Sequence, residues 1–332
     1  MTTVSLSELE QAADLVHAVM PATPQYNWPL LSQRVGCDLW VKHENHTPVG
    51  AFKVRGGTVF IDDLAANGKP AGIITATRGN HGQSIAFSAR RAGIHAVIVV
   101  PEGNSVEKNA AMRSLGADLV VHGHDFQAAF EYAQARASDD GLTMVPSFDP
   151  RLIRGVGTYG LEFFRAVPDL DAVYVPIGLG SGICGLISAR DALGLGTAII
   201  GVVAEGAPSY ALSFEAGKPV PTNAAETMAD GVACRVPIPE AVETINRGAD
   251  RVVRVSDAEI KAAMLAYFSD THNVVEGAGA APLAAVQKER ERLSGRKVGV
   301  IATGGNIDLA LFHAVLNESS QSQGQAGEGG QA

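Results

Sequence analysis

The chain lacks a long apolar run, has few cysteines and carries an excess of acidic residues. None of its hydrophobic segments approaches the roughly 20 residues that a membrane-spanning helix requires. Cys37, Cys184 and Cys234 lie far apart without ligand-like spacing, which disfavours disulfides and a zinc site and makes a reducing cytoplasm the expected location. A formal net charge of −9 disfavours nucleic acid and anionic membranes as partners.

The remaining composition suits a globular protein of one large or two medium domains. The chain has 332 residues, of which 46% are hydrophobic and 18% are charged, and such a balance allows a sizeable core. The segment Ser319–Ala332 departs from it, because it consists largely of Ser, Gln and Gly with almost no apolar residue. We therefore predict a disordered tail over residues 319–332.

Short β-branched runs alternate with alanine-rich segments of helix length along the chain. The predicted strands are Asp38–His43, Gly72–Thr75, Ala96–Val100, Asp118–Val121, Ala172–Val175, Ala198–Val203, Arg251–Val255 and Val298–Ala302. The predicted helices include His81–Ala92, Val106–Leu115, Phe126–Ala137, Gly185–Leu193 and Asp257–Phe268. This alternation predicts an α/β fold with mostly parallel sheets covered by helices on both faces, in two units with a cleft between them.

Lys53 lies in a segment that could carry covalent chemistry. It follows the strand Asp38–His43, between turns that contain Gly50 and Gly57, and it has the apolar neighbour Phe52. Burial beside such neighbours would lower the pKa of its amine and favour a Schiff base with an aldehyde cofactor. Taken alone, the segment does not distinguish this role from that of an ordinary surface lysine.

The segment Ile177–Gly185 is rich in glycine and joins a predicted strand to a predicted helix. Glycines let backbone N–H groups converge on an anion, and the N-terminus of the helix adds a favourable dipole. The segment therefore predicts a phosphate site at the carboxyl end of a strand. A dinucleotide site is an alternative, because Gly180, Gly182 and Gly185 match G-x-G-x-x-G, although Glu205 comes late for its acidic partner. A purely structural turn also remains open.

Two further turns follow predicted strands. In Thr77–Gln83, Asn80 offers a donor and an acceptor that could hold a ring oxygen, and Gly79 would let the backbone approach a carboxylate. Asn80 could equally be the N-cap of the next helix. In Thr303–Asp308, the hydroxyl of Thr303 could bind a ligand at the carboxyl edge of the sheet, or the residue could serve the turn alone.

Together these segments resemble the fold-type II pyridoxal-phosphate enzymes, specifically the threonine dehydratase and serine racemase family. The likeness extends from about Thr23 to about Val315, with the motifs in the family's order. It implies a two-domain fold like that of the tryptophan synthase beta chain, with pyridoxal 5'-phosphate in the cleft. Residues 1–47 and 149–318 would form the large, cofactor-binding domain, and residues 48–148 the small domain. The resemblance also implies a homodimer.

The resemblance assigns roles to individual residues. Lys53 would hold the cofactor as a Schiff base and, once released, take the α-proton of the substrate. Phe52 would pack beside the cofactor ring, Asn80 would bind its phenolic oxygen and Thr303 its pyridine nitrogen. The phosphate would be held by Gly178, Leu179, Gly180, Ser181 and Gly182, and the cofactor would also lie close to Gly231 and Glu276. The implied substrate-binding residues are Thr77, Arg78, Gly79, His81 and Arg154.

The implied activity is that of a dehydratase, or ammonia-lyase. A 3-hydroxy amino acid, threonine or serine by default, would lose water and yield a 2-oxo acid and ammonia. Two interpretations from other classes remain open at this stage. One is a nicotinamide-dependent oxidoreductase built on the loop Gly178–Gly185, and the other is a cofactor-binding protein without turnover.

The chain departs from the family pattern in ways that bear on the substrate. Arg78 stands where relatives usually carry Ser or Ala, and an arginine, protonated at any working pH, is poorly suited to the acid–base role that racemisation needs. If Arg78 and Arg154 both face the cleft, they could bind a distal carboxylate, as in 3-hydroxyaspartate; alternatively they point to solvent. Glu205 matches a cation ligand of some relatives, but the position expected for its aspartate partner holds Ala211, so no metal site is expected.

Overall fold

A computed structural model describes residues 4–328 of the chain, and for residues 319–328 it describes the course of the backbone alone. The strands are β1 (Gln25–Asn27), β2 (Asp38–His43), β3 (Gly72–Ala76), β4 (His95–Val100), β5 (Asp118–Val121), β6 (Thr143–Met144), β7 (Ala172–Pro176), β8 (Ala198–Ala204), β9 (Arg251–Val255) and β10 (Lys297–Ala302). The helices are α1 (Leu6–His17), α2 (Pro29–Val35), α3 (Lys53–Ala66), α4 (Asn80–Ala92), α5 (Val106–Ser114), α6 (Phe126–Asp139), α7 (Pro150–Ala166), α8 (Ser181–Ala192), α9 (Ser209–Ala216), α10 (Pro239–Gly248), α11 (Asp257–Thr271), α12 (Gly277–Lys288) and α13 (Leu309–Glu328).

The strands form two sheets. The first has the order β1-β2-β10-β7-β8-β9 and the second has the order β5-β4-β3-β6. β1 is antiparallel to β2, and the other neighbouring pairs are parallel. The α/β class with mostly parallel sheets is therefore confirmed. All four strands of the second sheet fall within residues 48–148, whereas the limits of the two domains stay a prediction.

The interior strands coincide with the β-branched runs of the sequence. β3 and β7 are buried at every residue, as expected for parallel strands covered by helices on both faces. α12 is buried from Gly277 to Val286, and its side chains pack into the core beside β7 and β10. The sheets thus place the carboxyl ends of β2, β7 and β10 side by side.

Two short strands were not predicted. β1 has three residues and pairs with β2 at the edge of the first sheet, where Tyr26 lies opposite Val41. β6 has two residues and pairs with β3. Strands of this length are too short to show an alternating or continuous apolar pattern, so pairing with a longer neighbour defines them.

The last helix extends into the segment for which disorder was predicted. α13 begins at Leu309 and continues to Glu328, and its first half is anchored by Phe312 and Val315, which are buried in the core of the first sheet. Extending an existing helix fixes one residue per added hydrogen bond, so further turns cost little. The helix therefore continues into residues 319–328, whereas the disorder expected for residues 319–332 stays a prediction; residues 329–332 lie outside the described part.

The described residues include no helix with both the length and the apolar composition needed to cross a bilayer. The three cysteines are buried as free thiols. Burial raises the pKa of Cys37 and of Cys234 to about 11 and that of Cys184 to about 12. These thiols are therefore protonated and weakly nucleophilic in the folded protein.

A buried cluster of charges lies directly behind the start of α3. Arg55 is completely buried and donates to both carboxylate oxygens of Glu44, at 2.7 and 2.9 Å. It also donates to both oxygens of Glu162, at 2.6 and 2.9 Å. Lys42, likewise buried, donates to Glu162 at 2.6 Å. Because buried charges are tolerated only when they are paired, this cluster fixes β2, α3 and α7 relative to one another.

Replacing Arg55 with Met should destabilise the fold strongly. The change leaves two buried carboxylates without their main cation, and removing one partner of a buried pair typically lowers the free energy of unfolding by about 3–5 kcal/mol. Urea unfolding followed by circular dichroism measures the change. The control is Arg165→Met, which removes an exposed ion pair with Glu10 and should cost less than about 1 kcal/mol. Equal effects of the two changes would contradict the prediction.

Candidate active site

The loops that follow β2, β3, β7 and β10 meet at the amino end of α3. The backbone N–H of Phe52 donates to the carbonyl of Thr303 at 2.9 Å, which joins the loop after β2 to the turn after β10. Asn306, in the same turn, donates to the side-chain oxygen of Asn80 at 2.9 Å. The predicted motifs are therefore gathered into one cleft, although they are far apart in the sequence.

Lys53 is the first residue of α3 and is half-buried in this cleft. Its Nζ atom donates to Oγ of Ser181 at 2.8 Å. Burial lowers the pKa of Lys53 to about 8, so a substantial fraction of the amine is uncharged near neutral pH. An uncharged, positioned amine is the form that attacks an aldehyde.

The glycine-rich loop after β7 has the form of an anion cradle. Gly180 has a φ of 102°, a left-handed conformation that favours glycine. A Cβ atom at Gly178 would clash with the carbonyl oxygen of Gly231, so the two segments can approach only because this position has no side chain. α8 begins at Ser181 and runs for 12 residues. The first N–H groups of a helix have no intrahelical acceptor, and within the described chain those of Ser181 and Gly182 have no other backbone acceptor, so they can bind a phosphate.

The side-chain amide of Asn80 contacts Glu276 across the cleft. Its Nδ2 atom donates to Oε1 of Glu276 at 2.6 Å, and a second N–H remains for a ligand. The N-cap of α4 is Gly79, and no side chain caps the helix. The interpretation of Asn80 as an N-cap is therefore wrong, because its amide is engaged across the cleft.

Lys108 is a residue of this site that the sequence analysis missed. Its Nζ atom lies 2.6 Å from Oδ2 of Asp230 and 3.4 Å from Oε2 of Glu276. Burial opposes the charge of Lys108, but the two carboxylates outweigh it and raise the pKa of the amine. Burial raises the pKa of Glu276, and Lys108 offsets this only in part. The shorter contact identifies Asp230 as the main partner of the ammonium group.

A backbone hydrogen bond joins Phe52 to Thr303 next to Lys53, and the contacts of the two residues with a cofactor stay a prediction. The ring of Phe52 meets Tyr159 edge to face at 6.2 Å between centroids, and a Cβ atom at Gly182 would be 3.6 Å from it. Phe52 therefore packs against the start of α8. Thr303 is buried at the carboxyl end of β10, and no hydrogen bond of its hydroxyl group is formed within residues 4–328.

The turn after β3 is shaped by Thr77. The hydroxyl oxygen of this buried residue accepts from the backbone N–H groups of Gly79 at 3.0 Å and Gly82 at 3.3 Å. Its side chain therefore serves the turn, and binding of a carboxylate would fall to the backbone. His81 is buried in the first turn of α4, where burial and, to a lesser extent, the charge of Lys53 lower its pKa to about 3.

The two candidate arginines differ in their surroundings. The charge of Arg154 contributes to the lowered pKa of Glu8, after the hydrogen bonds that Glu8 makes with Ser5, and it also acts on Asp149. Arg154 therefore lies within electrostatic range of α1, and its role in substrate binding stays a prediction. Arg78 is exposed in the turn before α4, and it has no ion-pair partner within the described chain. Its contact with a ligand also stays a prediction.

Glu205, which the resemblance offered as a cation ligand, lies beside an ammonium group. Oε1 of Glu205 is 3.3 Å from Nζ of Lys288, and that amine also donates to the carbonyl of Arg254 at 3.0 Å. Ala211 is a buried apolar residue. An ammonium group thus neutralises Glu205.

The residues present fit pyridoxal 5'-phosphate. The cleft contains an amine with a lowered pKa, a glycine cradle at the N-terminus of a helix next to that amine, and amide and hydroxyl groups opposite. Lys53 lies within hydrogen-bond distance of Ser181, the first residue of α8. The amine and the cradle are thus near enough for one small molecule to reach both.

Comparison with known proteins agrees with this geometry. The profile of the pyridoxal-phosphate dependent enzymes matches residues 19–304. An L-threonine ammonia-lyase of Thermotoga maritima is 32% identical over 323 residues, which cover 97% of this chain and 80% of that protein. The match leaves the interpretation as a nicotinamide-dependent oxidoreductase without support.

Solved structures of pyridoxal-phosphate enzymes are similar to this chain in fold. The processed form of threonine deaminase isoform 2 from Solanum lycopersicum superimposes with a TM-score of 0.86 at 31% identity, covering 95% of this chain and 94% of that one. A pyridoxal 5'-phosphate-dependent aspartate racemase superimposes with a TM-score of 0.88 at 27% identity, covering 93% and 98% of the two chains.

The lowered pKa of Lys53 should be visible in the rate of cofactor binding. Only the uncharged amine attacks the aldehyde, and a folded-state pKa of about 8 means that this form increases as the pH rises through 8. We expect the rate at which apoprotein and pyridoxal phosphate develop the Schiff-base absorption band to rise with pH and to level off above about pH 9. A rate that continued to rise toward pH 10.5, the ordinary lysine value, would contradict the burial of the amine.

Proposed function

The chain belongs to the pyridoxal-phosphate dependent enzyme family, and we propose that it eliminates water from L-threonine and L-serine to give a 2-oxo acid and ammonia. The observation that carries this proposal is the short contact between the amine of Lys53 and Ser181 at the glycine cradle. The names of the similar proteins, an L-threonine ammonia-lyase and a threonine deaminase, support the same substrate.

The bound cofactor would supply the electron sink that makes the α-proton of an amino acid acidic. We assign Lys53 to hold the cofactor and then to remove that proton, since its lowered pKa makes it an effective base near neutral pH. The cradle from Gly178 to Gly182 would bind the phosphate. Asn80 would donate its free amide N–H to the phenolic oxygen.

Thr303 would face the pyridine nitrogen with a neutral hydroxyl group. A hydroxyl does not force protonation of that nitrogen as a carboxylate would, so the cofactor ring would take up less of the negative charge and a carbanion on the substrate would be short-lived. This favours loss of a β-substituent over reactions that need a long-lived carbanion. The ionisable groups Glu276 and Lys108 lie on the side of Asn80.

The substrate carboxylate would bind at the start of α4. The backbone N–H groups of Asn80 and His81 have no acceptor within the described chain, and the N-terminus of this 13-residue helix favours an anion. We also propose that the protein is a cytoplasmic homodimer, as the resemblance implies. Its three buried free thiols are compatible with a reducing compartment.

A second candidate function is dehydration of 3-hydroxyaspartate. Arg78 is exposed and comes two residues before Asn80, where the segment that would bind the α-carboxylate begins, and no protein carboxylate pairs with it in residues 4–328. A planar guanidinium matches a second carboxylate by paired hydrogen bonds. The similarity to an aspartate racemase is compatible with a cleft that accepts a dicarboxylic amino acid.

The first test is release of ammonia and 2-oxo acid by the cofactor-loaded protein. L-Threonine, L-serine and the four isomers of 3-hydroxyaspartate form the panel. We expect turnover of threonine or serine, which Lys53→Ala abolishes together with the Schiff-base band, because the base and the anchor are then both lost. Lys218→Ala, at an exposed lysine, is the control and should retain both. No release from any of the six compounds would overturn the proposal.

Arg78→Ala decides between the two substrate classes. If Arg78 binds a distal carboxylate, its loss should lower kcat/KM for 3-hydroxyaspartate by about 10- to 100-fold, the effect of a lost charged hydrogen bond. The value for threonine should change by less than about threefold, because threonine lacks that group. Arg113→Ala, at another exposed arginine, controls for the loss of charge. An equal effect of Arg78→Ala on both substrates would exclude the second candidate.

A further inference from the structure

The imidazole of His81 is buried in the first turn of α4 without a hydrogen-bond partner in the described chain. The residue is 7% exposed, and its Nε2 atom is enclosed with no hydrogen bond to the chain as described. No hydrogen bond of Nδ1 is formed within residues 4–328 either. Buried polar groups in proteins are nearly always paired. An unpaired imidazole beside the loops that form the site therefore points to a partner that arrives with the ligand.

His81 is close to the amine that does the chemistry. The charge of Lys53 acts on its ring, and α4 contacts the start of α3 through Ser84, whose hydroxyl donates to the carbonyl of Lys53 at 2.6 Å. Ser84 follows His81 by three residues, so the two lie on neighbouring turns of one helix face. The imidazole is thus held within about one helical turn of this contact.

The chemistry of the ring indicates which part of the substrate it meets. Burial lowers the pKa of His81 to about 3, so the ring is uncharged at working pH. A charged α-carboxylate is better matched by the free backbone N–H groups of Asn80 and His81 at the start of α4. The neutral imidazole suits a neutral hydroxyl, which can accept or donate one hydrogen bond. In an elimination, that hydroxyl is on the carbon next to the one from which Lys53 takes a proton.

We propose that the side chain of His81 binds the leaving hydroxyl group of the substrate and orients it for departure. This role rests on the proposed dehydratase function. It consists of a hydrogen bond to the hydroxyl and includes no proton transfer from the ring. The specificity that follows is for amino acids with a hydrogen-bonding group at the β-carbon.

The test compares two leaving groups on one carbon skeleton. L-Serine loses water and 3-chloro-L-alanine loses hydrogen chloride, and both yield pyruvate and ammonia. Chloride departs readily without a strong hydrogen bond. His81→Leu should therefore lower kcat/KM for L-serine by about tenfold, the value of one hydrogen bond, and lower that for 3-chloro-L-alanine by less than about threefold. His81→Gln, which keeps a donor and an acceptor, should restore part of the serine activity.

A binding measurement removes the dependence on turnover. α-Methyl-L-serine and 2-aminoisobutyrate differ by one hydroxyl group, and neither has an α-proton to lose. Their dissociation constants can be read from the absorption change of the loaded protein. The wild type should prefer α-methyl-L-serine by about 3- to 10-fold. The preference should vanish in His81→Leu and persist in the control His43→Leu, which removes another buried imidazole.

The outcomes distinguish a failure of the role proposed for His81 from a failure of the proposed dehydratase function. Equal losses on serine and chloroalanine in His81→Leu, or an unchanged preference for the hydroxyl, would overturn the role of His81. A wild-type protein that releases chloride but never water would overturn the proposed function itself. Retention of the Schiff-base band and of the unfolding midpoint shows that each variant is folded. If His81→Leu fails that check, the same ratios measured on His81→Gln and His81→Asn decide, with Asn expected to lose more than Gln because its amide is shorter.

Discussion

The position of Lys53 depends on the burial of Arg55 two residues further along the same helix. The positive charge of this guanidinium is paired with the carboxylates of Glu44, directly after β2, and Glu162, in α7. Ion pairs taken out of water are costly unless their geometry is well defined, so the helix that carries the lysine cannot rotate or shift without breaking several of them. The chemical amine and the structural guanidinium are therefore positioned by the same turn of α3.

Paired polar groups also fix the two sides of the cleft relative to each other. Asn80 and Lys108 belong to the part of the chain that contains the second sheet, whereas Glu276 and Asp230 belong to the part that contains the first. These contacts connect the two walls beside the glycine cradle, so a ligand enters a site whose walls already share hydrogen bonds. One consequence is that substitution of a wall residue changes the alignment of the walls as well as the contact it removes.

Much of this arrangement could be predicted from the sequence because it depends on local patterns. Runs such as Ala198–Val203 specify buried parallel strands, and the glycine motif after β7 specifies a helix N-terminus that faces a ligand. Position along the chain then sufficed to place Lys53 in the segment after β2 and Thr303 at the end of β10. Such features require only neighbours in the sequence.

The parts that could not be predicted depend on distant partners. Lys108 has no local signal, because the carboxylate that holds it, Asp230, is 122 residues away. The amide of Asn80 could be assigned to a helix cap as well as to the cleft until Glu276 was seen beside it. β1 exists only through its pairing with β2. The direction of a side chain such as Arg154 is likewise not fixed by its position in a motif.

The strand order also determines when the strands of the first sheet can pair during synthesis of the chain. β10 lies between β2 and β7 in the first sheet, yet it is the last strand to leave the ribosome. One edge of β2 therefore stays unpaired while nearly all of the remaining chain is made. β1 is synthesised just before β2, pairs with the other edge of that strand and protects it early. A nascent chain with a waiting edge is a natural client for chaperones, because unpaired strand edges promote association with other chains.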